Sequence, residues 1–576
     1  MDQDSRDKNI PPNDPKNPRW LLDLHNWKFE RYIDIASTVE TEGYGIVSYT
    51  WGYIADFSRP QPDHELPIGL PWDVPTTTGF DLDRAKEVMA TIGTRYIWWD
   101  WMCVPQETLN GQRTITSHLR NAKREEIGKQ LNIYRDAKKS IVWLHSTYWN
   151  LQTPLKTLLL AGSKEGVPLP TDPEAYLDEI VQLLARIRTR EEGERWLVSG
   201  WTLQEGVLLP ETVLVDGAGN TLQDDTFQHN GGRASVIDLT ASTTALAIGV
   251  AKSFVSQADG QEQQNKVGRL IDESLEMANK FRQTLRIMVA SGLVAYSKAS
   301  PLYILNGKRN REFGMAQDSC WALIGAMELE GVPVKYELPM DDIKMIFLTA
   351  LFEKYQWTML LLPQPLFPVF REWWWTGFRW TDIVDGLMIP VGLFVDTQIG
   401  SGSQSQLPRV SLDSTMTVIV QPPNQSQTFC VLKNLDIKWY LHYVQTETGV
   451  EIRSLAPKTN PTPHISDAVF LKLEDLGKND NAPSISSGMR CVAIMEFWTP
   501  QDNIPVGVFG GIVDLWAADG NAVEVPSLKL YPTAQNTDSG PTNTKSRFRH
   551  ERDAAGQECG QEALLITLRQ SGQPVS

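Results

Sequence analysis

Trp201 and Glu205 stand four residues apart in the segment WTLQE, so a helix there sets an indole and a carboxylate on one face. A carboxylate next to an aromatic surface can stabilise developing positive charge and stack a planar group. The same pair can equally be a core anchor and a carboxylate paired with a nearby arginine, and the residues alone leave both readings open. Asp100 closes the aromatic run YIWWDW, in or just beyond a strand. In doubly wound sheets ligands gather at the carboxyl ends of strands, where Asp100 could bind a hydroxyl or hold the Trp51 indole; it could instead cap the following turn. Ser48 and Trp51, at the end of another apolar run, carry the same two readings. Trp98 and Trp99 read as packing residues, since aromatic side chains in strands serve the core. Cys103 with His118 or His145 would make a thiol and base, but a lone cysteine between Met102 and Val104 reads as a small buried hydrophobe. No G-x-x-x-x-G-K-[ST], G-x-G-x-x-G or H-E-x-x-H occurs, which leaves P-loop hydrolysis, a fingerprinted dinucleotide site and zinc proteolysis without a motif.

The elements that must position these residues alternate. Gly45 to Trp51 reads as a buried strand, and Leu82, Ala85, Val88, Met89 and Ile92 recur at helical spacing. Tyr96 to Trp101 reads as a second strand, Ser117 to Lys138 as a surface helix, and Ser140 to Leu144 as a third strand. Helical patterns cover Pro173 to Arg190 and Arg195 to Leu208, before the short run Thr212 to Val215. Such alternation predicts a parallel sheet with helices on its faces. From Arg233 to Trp357 the pattern is mainly helical, including Val267 to Tyr296 and a stretch around Ile343 to Leu351. Beyond an aromatic cluster, Arg371 to Trp380, short β-type runs take over, and Ile437, Trp439, Leu441 and Tyr443 alternate with polar or amphipathic neighbours. These predict a C-terminal antiparallel β domain.

The 576 residues carry 54 Lys and Arg against 70 Asp and Glu, a net charge of -16, which argues against a protein built chiefly to bind nucleic acid. The five cysteines are scattered without C-x-x-C or metal-ligand spacing, so thiols in a reducing compartment are expected and no metal site is. The polar, proline-rich start lacks a signal-peptide core, and no apolar run reaches the roughly 18 residues of a membrane span. A soluble cytoplasmic protein without a transmembrane segment is expected. Eleven of the 20 tryptophans precede position 202, marking the N-terminal region as unusually aromatic.

Four blocks, SYTWG (48–52), YIWWDWMCVPQ (96–106), IYRDAKKSIVWL (133–144) and WTLQE (201–205), in this order and at these spacings resemble the heterokaryon-incompatibility (HET) domain of filamentous fungi. DSCWALIGAM (318–327) resembles the segment that often follows it. Against the family pattern, Ser199 stands where arginine is common, Pro105 replaces an acidic residue or Asn, and His145 follows Trp143-Leu144 where glycine is usual. The resemblance implies fungal non-self recognition and programmed cell death. It also implies an α/β domain distantly similar to Toll/interleukin-1 receptor (TIR) domains, some of which hydrolyse NAD.

On that resemblance Glu205 is the catalytic candidate and Ser48, Trp51, Asp100 and Trp201 the substrate-binding ones. No cofactor is expected, NAD entering as substrate. The alternative is a non-catalytic module that assembles with itself or with an unidentified protein partner, its C-terminal β domain carrying recognition. The expected organisation is a flexible tail (1–20), a TIR-like α/β HET domain (21–230), a helical block (231–362), a β-rich domain (363–532) and a disordered tail (533–576).

Overall fold

The structure, a computed structural model, describes residues 10–50, 55–106, 116–161, 172–246 apart from 228 and 244, scattered positions from 280 to 290, 291–297 and 301–360, and beyond these Val384 and nine strands. Two compact units form, one of residues 1–250, 286–298 and 307–343, the other of 251–285, 299–306 and 344–576.

In the first unit the strands are β1 (Trp20–Asp23), β2 (Lys28–Arg31), β3 (Tyr44–Ser48), β4 (Ala55–Pro60), β5 (Pro75–Thr77), β6 (Tyr96–Trp98), β7 (Lys139–Trp143) and β8 (Val213–Val215). Six of them form one sheet in the order β2-β1-β6-β3-β7-β8, and β4 pairs with β5 separately. β6, β3, β7 and β8 run parallel, while β1 and β2 form an antiparallel hairpin added beside β6. Numbered along the chain, the parallel strands lie in the order 2-1-3-4, a doubly wound arrangement. The connections reverse direction at β3 and β7, so the carboxyl ends of these two strands mark the switch point where such folds bind ligands.

The helices between them are α1 (Tyr32–Glu42), α2 (Leu82–Ala90), α3 (Asp100–Cys103), α4 (Ser117–Gly128), α5 (Gln130–Arg135), α6 (Pro154–Ala161), α7 (Pro173–Arg186) and α8 (Gly200–Leu208). β3 is buried along its whole length, the near-continuous apolar burial of a strand covered on both faces. Leu82, Ala85, Val88 and Met89 turn one face of α2 into the core, as their spacing predicts, and Asp81 caps the helix by accepting from the Arg84 amide. Trp98 and Trp99 are fully buried packing residues, as expected.

Several elements end earlier than their patterns suggest. The strand predicted over Tyr96 to Trp101 stops at Trp98, because Trp99 turns the chain and its carbonyl accepts from the amides of Met102 and Cys103. The helix expected from Ser117 to Lys138 divides at Lys129, whose ammonium is drawn inward to the buried Glu126 at 2.8 Å. The helix predicted from Arg195 to Leu208 becomes a 3-10 turn (Arg195–Leu197) and α8, separated at Val198 and Ser199. The β1–β2 hairpin has no counterpart in the sequence pattern.

After β8 come α9 (Pro301–Lys308), α10 (Asp318–Trp321) and α11 (Met340–Tyr355), in the expected helical region; most of Val267 to Tyr296 lies outside the described residues. The second unit holds β9 to β17: Arg409–Leu412, Val418–Gln421, Val431–Leu432, Tyr440–His442, Arg453–Leu455, Val469–Leu476, Gly488–Trp498, Val506–Trp516 and Leu565–Leu568. Seven of them form a sheet in the order β11-β14-β15-β16-β17-β10-β9. All its pairings are antiparallel except β10 with β17, in agreement with the expected antiparallel domain. The aromatic cluster 371–380 lies outside the described residues. Among the described residues no helix is long and apolar enough to cross a membrane.

Candidate functional site

Three of the five sequence-derived residues meet at the carboxyl ends of the parallel strands. Ser48 is the last residue of β3, Asp100 opens α3 directly beyond β6, and Glu205 lies in α8. The Ser48 hydroxyl donates to Glu205 Oε2. Trp196 Nε1 in turn donates to Ser48 Oγ at 2.7 Å, and the Tyr134 hydroxyl adds a further hydrogen bond to the Glu205 carboxylate.

Eight of the nine residues of α8 are buried, so the helix is a core element that fixes Glu205 rather than a surface helix presenting it. Its glycines allow that depth. A Cβ on Gly206 would fall 2.5 Å from the Tyr296 ring, and one on Gly200 would fall 2.0 Å from Phe313. Trp201 is the residue of α8 that stays partly exposed, and its indole hydrogen-bonds to Asp318, which also accepts from the Tyr336 hydroxyl at 2.8 Å. Trp201 thus shares the helix with Glu205 but binds elsewhere. Trp51 lies outside the described residues.

The electrostatics single out Glu205. Burial, with the charge of Asp100 close by, pushes its carboxyl up to about 8, against the hydrogen bonds from Ser48 and Tyr134 and the pull of Arg311. Burial and the nearby negative charge of Asp100 both favour the protonated form of Glu205. A second buried carboxyl, Glu194, is pushed by burial up to about 7 while accepting from the Thr147 hydroxyl at 2.9 Å and the Ser146 amide at 3.2 Å. His145, driven down to about 3 by burial, stays neutral and is no proton acceptor at ordinary pH. Cys103 is fully buried and its thiol is pushed up by burial, which leaves the thiol-and-base reading without support.

These shifts set an expected pH dependence. Glu194 and Glu205 ionise at lower pH in the unfolded chain than in the folded one, so the folded state holds more protons between about 4.5 and 8. Stability of the first unit should be greatest at the acid end of that window, fall by a few kcal/mol as pH rises through it, and level off above about 8. Denaturant melts at pH 5, 6.5 and 8 check this. Glu205→Gln should flatten the upper part of the decline.

The remaining partners come from far along the chain. Arg311 sends Nη1 to the Ser199 carbonyl at 2.7 Å, the Trp196 carbonyl at 3.2 Å and the Thr202 hydroxyl at 3.0 Å, and Nη2 to the Tyr296 hydroxyl at 2.5 Å. Tyr296 stacks on Trp196 with centroids 5.7 Å apart. The Gly200 amide donates to the Glu312 carbonyl at 2.8 Å, and the Gly325 amide donates to Gln204 Oε1 at 2.8 Å. Sequence reasoning missed Trp196, Tyr134, Tyr296 and Arg311. The only signal was that DSCWALIGAM accompanies the domain, and the structure gives the reason: this segment packs on α8.

A cleft of about 620 Å³ lies at the other end of the sheet, lined among others by Lys139 and Ser140 at the start of β7 and Thr212 and Val213 at the start of β8. None of the residues above lines it, and Glu205 with Ser48 lies at the carboxyl ends of the strands. We therefore place the candidate chemistry there. No group of three or more potential metal-ligating side chains occurs among the described residues.

A family model described as Heterokaryon incompatibility protein (HET) matches residues 44–205, a span that starts at β3 and ends at Glu205. No curated protein and no solved structure matches the chain. With its characteristic blocks set on the parallel sheet and α8, the chain is a HET-domain protein, the domain occupying residues 44–205.

Proposed function

We propose that this protein acts in heterokaryon incompatibility and cell-death signalling in the cytoplasm, and that its TIR-like HET domain does so by cleaving NAD between nicotinamide and ribose. The HET domain supports the role in heterokaryon incompatibility. The observation that carries the enzymatic part is Glu205, bound by Ser48 and lying near the charge of Asp100, at the switch point of a doubly wound sheet. In the reaction the C1′–N bond breaks, its electron pair neutralises the departing pyridinium, and water supplies the oxygen that C1′ gains. The water's proton passes to a carboxylate or to solvent. One carboxylate beside the ribose stabilises the oxocarbenium-like charge, and the cationic ring favours the ionised form of Glu205. Asp100 and Ser48 stand where ribose hydroxyls would be oriented.

Free nicotinamide released by full-length protein and by Glu205→Gln tests this. Release by the parent, lowered at least about 100-fold in a variant with an unchanged circular dichroism spectrum, is expected. Equal release from both would overturn the assignment.

A second reading has one specific observation in its favour. Glu205 is only 8% exposed, and Ser48 and Trp196 close over it, as in a purely structural network. Under this reading the domain signals by assembling with itself or with a protein partner, while the C-terminal β sheet carries recognition. Absence of nicotinamide release at concentrations where the protein self-associates, with cell death retained in Glu205→Gln, would favour it.

A further inference from the structure

The carboxyl ends of β3 and β7 carry a group of rings that Glu205 and Asp100 do not use. Tyr49 and Thr50 follow Ser48, Trp143 ends β7, His145 comes two residues later, and Phe80 reaches in from the bend between β5 and α2. Ring centroids are 4.2 Å apart for Trp143 and His145, 4.7 Å for Phe80 and Trp143, and 5.7 Å for Tyr49 and His145. Phe80 lies nearly parallel to His145, at 5.2 Å and 9°. Within this cluster the Trp143 indole N–H and His145 Nε2 are buried without a hydrogen-bond partner. Folded proteins pair nearly all such atoms, and two exceptions on rings 4.2 Å apart ask for an explanation.

We propose that Tyr49, Trp143 and His145 form a binding box for a planar nitrogen heterocycle bearing an amide or amino group, and that Phe80 occupies the ring position the ligand takes. The parallel stack of Phe80 on His145 is the geometry of a flat ligand on an imidazole, yet a phenyl ring satisfies neither polar atom. The indole donates, and the imidazole, held neutral by burial, has both a donor and an acceptor nitrogen. A carboxamide or an aminopurine edge complements that set. Phe80 is only partly buried and lies outside both β5 and α2, so swinging its side chain out breaks no strand or helix hydrogen bond.

The box adjoins the two carboxyls, Tyr49 lying within the influence of Asp100 and Glu205. It deepens the proposed function by naming where the ring of the dinucleotide sits, and rests on that reading for the identity of the ligand.

The test is calorimetric titration of full-length Glu205→Gln, which binds without turnover, with nicotinamide, AMP and NAD in separate runs. Phe80→Ala in that background should tighten binding of NAD and of one of the two fragments about tenfold, because the ligand no longer has to displace a ring. His145→Leu should weaken the same ligands at least tenfold. Which fragment responds identifies the ring. Should Phe80→Ala fail to fold, Phe80→Leu is expected to act in the same direction. No binding of any probe by either protein, or weakening by the Phe80 change, would overturn the box. Nicotinamide release by the parent with a KM indifferent to Phe80 and His145 would remove the box and leave hydrolysis standing. Tightening without any release from the parent would do the reverse.

Discussion

A chain ending at residue 220, which retains the whole family-matched segment, should fail to unfold cooperatively, whereas one ending at residue 343 should do so. The reason is α8. On one side it meets the sheet through Glu205 and Ser48, and on the other it is covered by residues 291–297 and 311–325. Truncation at 220 removes Tyr296 from Trp196, Glu312 from the Gly200 amide, Gly325 from Gln204, Asp318 from Trp201 and Arg311 from the start of the helix. The loss exposes the apolar side chains of α8, Leu203, Val207 and Leu208, which are at most 9% accessible in the intact unit. Burial of each large apolar side chain contributes roughly 1.5–3 kcal/mol, and net domain stability is about 5–15 kcal/mol, so losing one face of a buried helix consumes most of it. Far-ultraviolet circular dichroism against urea separates the outcomes. A sharp transition in the shorter chain would show that the later segment is a passenger.

The second large effect is expected at Arg311. Its side chain is buried, and one guanidinium serves two carbonyls and two hydroxyls at the point where the 3-10 turn gives way to α8. Ser199, the N-cap residue of α8, makes no side-chain capping hydrogen bond, so the junction depends on this distant arginine and on Glu312. Arg311→Met leaves the Ser199 and Trp196 carbonyls with a single proton to share, that of the Thr202 hydroxyl, and leaves the Tyr296 hydroxyl without the guanidinium. At about 1–3 kcal/mol for each unsatisfied buried group, the variant should lose roughly 3–5 kcal/mol. Arg311→Lys should recover little, since an ammonium cannot reproduce a planar fork reaching four acceptors. Denaturant midpoints of the two variants measure this. A loss below about 1 kcal/mol would mean that solvent takes over the capping.

What was legible in the sequence follows from how local the cause is. β7 needs only the β-branched run Ser140 to Trp143 and its boundaries, and it lies within a residue of its expected limits. α2 is similarly declared by four apolar residues at helical spacing and an aspartate cap. The β1–β2 hairpin was not legible, because strands of four residues are too short to show a period and Trp20 to Asp23 are all buried instead of alternating. Ser48, Asp100 and Glu205 were reachable because the family's blocks contain them. Arg311 and Tyr296 were not, since nothing in local spacing connects them to a helix so much earlier in the chain. His145 was visible as a departure from the family pattern and as a base for Cys103, not as part of a ring cluster, and its neighbours Phe80 and Tyr49 became apparent only with the topology.

The two ends of the strand order bear on how copies of this domain can meet. On one side β2 offers its outer rim to Ile68, which bridges to Lys28 and exchanges main-chain bonds with Phe29 and Trp27. On the other, β8 is bridged by Thr221 and Ser235. Both rims of the six-stranded sheet are partly covered by the chain's own loops, so extending that sheet from one copy to the next would first have to displace them.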